Sequence, residues 1–63
     1  MPYINYKPGD VVDIKGTEFL VVHRGGWSSF YGLANMHTGQ VEHTSEDMSG
    51  LNTDIYNLRR GVK

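Results

Sequence analysis

The chain has 63 residues, six basic against seven acidic side chains for a net charge of −1, and no cysteine. That length allows one domain burying about 60% of its unfolded surface, and without cysteine it has neither disulfide staples nor thiolate metal sites, which favours a cytoplasmic setting. A near-neutral chain lacks the basic excess of a typical nucleic-acid binder, no run of about 18 apolar residues is present to cross a bilayer, and the polar, proline-containing start MPYINYKPGD does not read as a signal peptide.

Residues 1–7 form a lead-in whose Tyr3, Ile4 and Tyr6 suit an extended segment at a sheet edge. Pro8-Gly9-Asp10 is a turn signal opening a β core over 8–58, with 59–63 as a tail. Val11, Val12 and Ile14, then Phe19, Leu20, Val21 and Val22, flank Lys15-Gly16 as the two arms of a hairpin, with strands at 10–14 and 18–23. An even loop keeps Val12, Ile14, Phe19 and Val21 on one face. A four-residue closure over 15–18 is favoured, because a two-residue loop sets Asp13 opposite Glu18.

Arg24-Gly25-Gly26-Trp27-Ser28-Ser29 reads as a loop carrying the single tryptophan. A third strand at 30–36 divides into Phe30, Gly32, Ala34 and Met36 on one face and Tyr31, Leu33 and Asn35 on the other. Gly32 marks a bulge or a close backbone approach. His37-Thr38-Gly39 turns the chain into a fourth strand at 40–44, with Val41 and His43 on one face.

Thr44-x-x-Asp47 fits a capping box for a helical turn at 45–49, stopped by Gly50. Residues 54–60 are read as a fifth strand; a second short helix capped by Thr53-Asp54 is the alternative. The expected core is Val12, Ile14, Phe19, Val21 and Leu33, with Val41 and Leu51 beside them. Phe30 is expected inside with Ala34 and Met36, and Trp27 outside.

This order of elements resembles the small SH3-like barrels that include Tudor-type and KOW-type modules. The resemblance rests on Pro8-Gly9-Asp10-Val11-Val12, the hairpin through Phe19-Leu20-Val21-Val22, and Thr38-Gly39-Gln40-Val41. It implies a mainly β fold: a small barrel or bent antiparallel meander of four or five strands with one helical turn near the end. The chain departs from the pattern in lacking the long basic loop of KOW modules and the acidic pair and aromatic ladder of proline-peptide-binding SH3 domains. In size and in its Gly16…Phe19-Leu20-Val21-Val22…Thr38-Gly39 layout it also looks like the short accessory proteins of bacteriophages, which implies a protein that binds and modulates a host protein.

Catalytic chemistry finds little purchase. The acids are spread over strands and caps, the serines lack a Gly-x-Ser-x-Gly elbow, and His23, His37 and His43 lack the close spacing of zinc ligands. No cofactor or metal is expected. The aromatics say more, since tryptophan, tyrosine and arginine are enriched at binding hot spots. The sequence therefore reads as a non-enzymatic module binding a protein through Arg24, Trp27, Phe30 and Tyr31, with Tyr6 and Tyr56 adjoining. A nucleic-acid-binding barrel using Arg59, Arg60 and Lys63 is the alternative, and self-association through an edge strand is a third.

Overall fold

The computed structural model describes residues 5–61, which form four strands followed by one helix. The strands are β1 (Val11–Ile14), β2 (Thr17–Arg24), β3 (Phe30–Asn35) and β4 (Val41–Ser45), and the helix is α1 (Met48–Arg60). The strands pair antiparallel in chain order β1-β2-β3-β4. The fold is mainly β as the sequence implies, but the sheet stays open and does not close into a barrel.

The first hairpin corrects the expected loop. Asp13 pairs with Glu18 and Ile14 with Thr17, which leaves Lys15-Gly16 as a two-residue connection. Both have positive φ, 52° and 87°, the requirement of the tight turn that matches strand twist. Asp13 relieves the like-charge opposition locally: its carboxylate accepts the Gly16 backbone N–H at 3.0 Å. Both acids are exposed, so solvent screens what remains. At the other end of β1 the Pro8-Gly9 turn is closed by Asp10 N–H donating to the Lys7 carbonyl at 3.0 Å, and the pairing with β2 continues through Gly9 and Asp10 onto Val21.

The fifth strand and the isolated helical turn are both replaced by α1. Asp47 is its N-cap, accepting the Gly50 N–H at 2.7 Å, and Gly61 ends it in the left-handed region at φ 80°. The expected capping box is displaced, with Thr44 lying in β4 and Asp47 taking the cap itself. Gly50 does not stop the helix but lies inside it: a Cβ there would meet the Ser45 hydroxyl, so glycine lets the first turn sit against the end of β4. Asp54 is likewise mid-helix. Met48, Leu51, Ile55 and Leu58 recur at three- and four-residue steps, the stripe that buries one helix face.

That stripe covers one face of the sheet. Val12, Ile14, Phe19, Val21, Leu33, Leu51 and Ile55 make up the buried core, with Tyr6, Tyr31, Met48 and Leu58 packed against it. Five of the expected core residues and Leu51 are therefore inside. Val41 and Phe30 are not, and both failures trace to β3 and β4. Leu33 is the β3 residue sealed under the helix, which turns Phe30, Ala34 and Met36 to the opposite side. A bulge then intervenes in β4: Ala34 pairs with Val41 and Leu33 with His43, so Glu42 is the extra residue. The bulge places Val41 on the Ala34 side and leaves His43 facing inward, its ring edge-on to Phe19 at 6.0 Å. Gly32 permits this arrangement. A Cβ there would lie 2.9 Å from both the His43 carbonyl oxygen and Val41 Cγ1.

The described part of the lead-in is tied to the helix at Tyr6. Tyr6 N–H donates to Asn52 Oδ1 at 2.8 Å and Asn52 Nδ2 donates back to the Tyr6 carbonyl at 3.3 Å. Tyr3 and Ile4 lie outside the described residues. Among the described residues no helix is long and apolar enough to cross a membrane.

Candidate interaction surface

Residues directly opposite one another in a sheet share a face, so the register defines the side that α1 leaves bare. One row runs across all four strands: Val11 opposite Leu20, Leu20 opposite Ala34, Ala34 opposite Val41. Every member is apolar. The next row toward the β2–β3 loop holds Val22, Gly32 and Thr44, and the row after that pairs Arg24 with Phe30. On the other side Asp13 pairs with Glu18, and Met36 joins through its N–H to the Glu18 carbonyl at 3.0 Å. Val11 is 48%, Val41 45% and Met36 53% exposed, while Leu20, Val22, Phe30 and Ala34 are half-buried among their neighbours.

An antiparallel sheet covered on one side ordinarily alternates apolar-in and polar-out. Here the outward positions are apolar through the middle apart from Thr44 at the β4 edge, with charge at the two ends: Arg24 at one, Asp13 and Glu18 at the other. Contiguous apolar surface rimmed by polar groups is the kind of surface that proteins use for docking.

Trp27 stands in the β2–β3 connection, at the Arg24 end of this face, and is 103% exposed. The loop composition favours that placement. Gly26, at φ 99°, adopts a backbone conformation that a side chain would strain.

The predicted binding residues do not form one cluster. Arg24, Trp27 and Phe30 share one end of the sheet. Tyr31 is at that end too but turns to the helix side, stacked on His23 with ring centroids 4.4 Å apart. Tyr6 and Tyr56 belong to the helix side. The Tyr6 hydroxyl accepts from Arg59 Nη1 at 2.8 Å, and the Arg60 guanidinium lies 5.1 Å from the Tyr56 ring centre. Arg59 and Arg60 therefore hold intramolecular partners in the last turn of α1, where positive charge also suits the helix C-terminus. That turn ends at Gly61, whose position Lys15 Nζ approaches from the β1–β2 turn. Arg59 and Arg60 thus lie toward the Thr17 end of β2 and Trp27 beyond its Arg24 end, with the eight-residue strand, about 24 Å long, between them. Lys63 lies outside the described residues.

Val11, Leu20, Val22 and Val41 are the surface residues that strand alternation passes over. Their signal is nevertheless in the sequence. Val11-Val12 and Phe19-Leu20-Val21-Val22 are continuous apolar runs, and a strand apolar at successive positions has both faces to bury.

A shallow cleft opens between the β1–β2 turn, β4 and the end of α1, lined by Lys15, Phe19, Asn35, Glu42, His43 and Leu58. Its carboxylate is engaged, since Asn35 Nδ2 donates to Glu42 Oε2 at 3.0 Å. Among the described residues no three histidine or acidic side chains gather where they would hold a metal ion. The chain matches no family model, no curated protein and no solved structure.

Proposed function

We propose that this chain is a non-enzymatic protein-interaction module that docks its partner on the outer face of the sheet. Trp27 acts as an anchor at the Arg24 end. The observation that carries this reading is the apolar row Val11-Leu20-Ala34-Val41, which crosses the whole sheet on the side α1 does not cover. Leaving such side chains in water forgoes about 25 cal/mol for each Å² of apolar surface that a partner would cover. Trp27 supplies a large, amphipathic contact of the type enriched among hot spots. A base-stacking role for Trp27 would call for cations beside it. Arg24 stands at that end, while Arg59 and Arg60 hold intramolecular partners at the other.

The test uses two variants. In Trp27→Ala and Val41→Ser the altered side chain is exposed, so each should melt close to the parent, as surface changes usually stay within about 0.5 kcal/mol. Immobilised parent should capture a protein that Trp27→Ala captures about 2 kcal/mol more weakly, and Val41→Ser should weaken capture as well. Undiminished capture by both variants would remove the outer face from the account.

A further inference from the structure

We infer that the occupant of the outer face is a second copy of this chain, packed face to face about a two-fold axis that runs across the strands. This rests on the outer face being the docking surface, and two observations point to self-docking.

The first is the polarity of the face. Arg24 lies at one end of β2 and Glu18 at the other, with Asp13 beside Glu18, and between them the surface is apolar apart from Thr44 at the β4 edge. A two-fold axis lying across the strands exchanges the two ends. Placed at the level of Val21, midway between Arg24 and Glu18 in β2, it sets Arg24 of each copy over the Asp13–Glu18 pair of the other. The apolar rows meet in the centre. An isologous interface must be complementary to itself, and a face with one basic end, one acidic end and an apolar middle meets that demand in this orientation. The parallel orientation would place Arg24 on Arg24 and acid on acid.

The second is net charge. At −1 for the chain, two copies repel each other little, and near-neutral proteins associate most readily. From Glu18 to Arg24 the face runs about 20 Å, and four strands span roughly 19 Å across. That places the interface at the small end, below about 1,200 Å² in total, where contacts are weak and exchange readily. The dimer should therefore be weak, forming only at high protein concentration.

The experiment is sedimentation equilibrium across a concentration series from about 10 μM to about 1 mM, on the full chain and on two charge reversals, Arg24→Glu and Glu18→Arg. Both positions are exposed, and circular dichroism verifies that each variant folds. The parent should pass from monomer to dimer. Each reversal alone should raise the dissociation constant about tenfold, because the two-fold repeats every altered pair. An equimolar mixture of the two variants should dimerise as well as the parent does, since each then offers the charge the other lacks. A parent that remains monomeric at about 1 mM overturns the second copy as occupant, while loss of capture by Val41→Ser would still uphold the face as a docking surface. A dimer indifferent to both reversals overturns the face-to-face arrangement in favour of edge pairing.

Discussion

Gly32→Ala tests the packing that sends Val41 outward. Alanine is ordinarily the better strand residue, since glycine costs about 0.5–1 kcal/mol of backbone entropy relative to it. Here the new Cβ would fall 2.9 Å from the His43 carbonyl oxygen and 2.9 Å from Val41 Cγ1, with Phe30 Cε1 at 3.5 Å. The Val41 methyl can rotate or shift, being 45% exposed. The His43 carbonyl belongs to the strand adjoining the bulge and moves only with it. Forced insertion into a packed site costs about 1–3 kcal/mol, which outweighs the entropic gain. The net effect should be a loss of about 1–2 kcal/mol, or about 4–8 °C in Tm for each kcal/mol in a domain of this size. Thermal denaturation followed by circular dichroism reads it. Val41→Ala in the same chain removes one of the two collisions, so the double variant should recover part of the loss, with a coupling of at least about 0.5 kcal/mol. A Gly32→Ala protein as stable as the parent would mean that β3 and β4 do not approach as described, and the bulge assignment would fall with it.

Three further changes probe the frame. Phe19→Ala removes a ring that is 5% exposed and should cost about 3–5 kcal/mol, enough to unfold much of a domain this small; an unchanged urea midpoint would show Phe19 outside the core. Asp47→Ala removes the N-cap acceptor and should cost about 1 kcal/mol, whereas Asp54→Ala, mid-helix, should change urea stability much less. Gly61→Ala places a Cβ in the left-handed region at φ 80° and should cost about 1 kcal/mol; a Tm equal to the parent's would count against that helix terminus.

The parts of the structure legible in the sequence are those fixed by local pattern. Alternation in Val12, Ile14, Phe19 and Val21 identifies the covered face, and the glycine and serine around Trp27 place it outside. What misled the reading was local chemistry that overrides a pattern. The two-residue turn looked unfavourable because it opposed Asp13 and Glu18, yet the Asp13 carboxylate is occupied by the turn it helps to close. The sequence reads as a helical turn stopped at Gly50 followed by a fifth strand at 54–60, because Gly50 has the form of a helix stop and Ile55, Asn57 and Arg59 alternate with Tyr56, Leu58 and Arg60. Burial of Leu51 and Ile55 against the sheet overrides both signals. Phe30 is expected inside because alternation groups it with Ala34 and Met36, whereas the helix covers the Leu33 face of β3; Val41 is expected inside because an uninterrupted alternation in β4 carries no sign of the extra residue Glu42. Alternation assigns one buried face to each strand, so it passes over the continuous apolar runs of β1 and β2 that make the second face apolar too.

Because the chain contains no cysteine, a single introduced thiol reports its own surroundings. Val11→Cys and Val41→Cys, compared with Val21→Cys and Leu33→Cys, measure most directly whether the outer face is bare. In dilute solution under native conditions, the first two should react with a thiol reagent at nearly the rate of an unstructured peptide. The second two lie at positions that are 1% and 0% exposed; they should react about a hundredfold or more slowly, through opening of the fold. Equal protection at all four positions would contradict the account, because it would mean that the sheet is covered on both sides in the monomer.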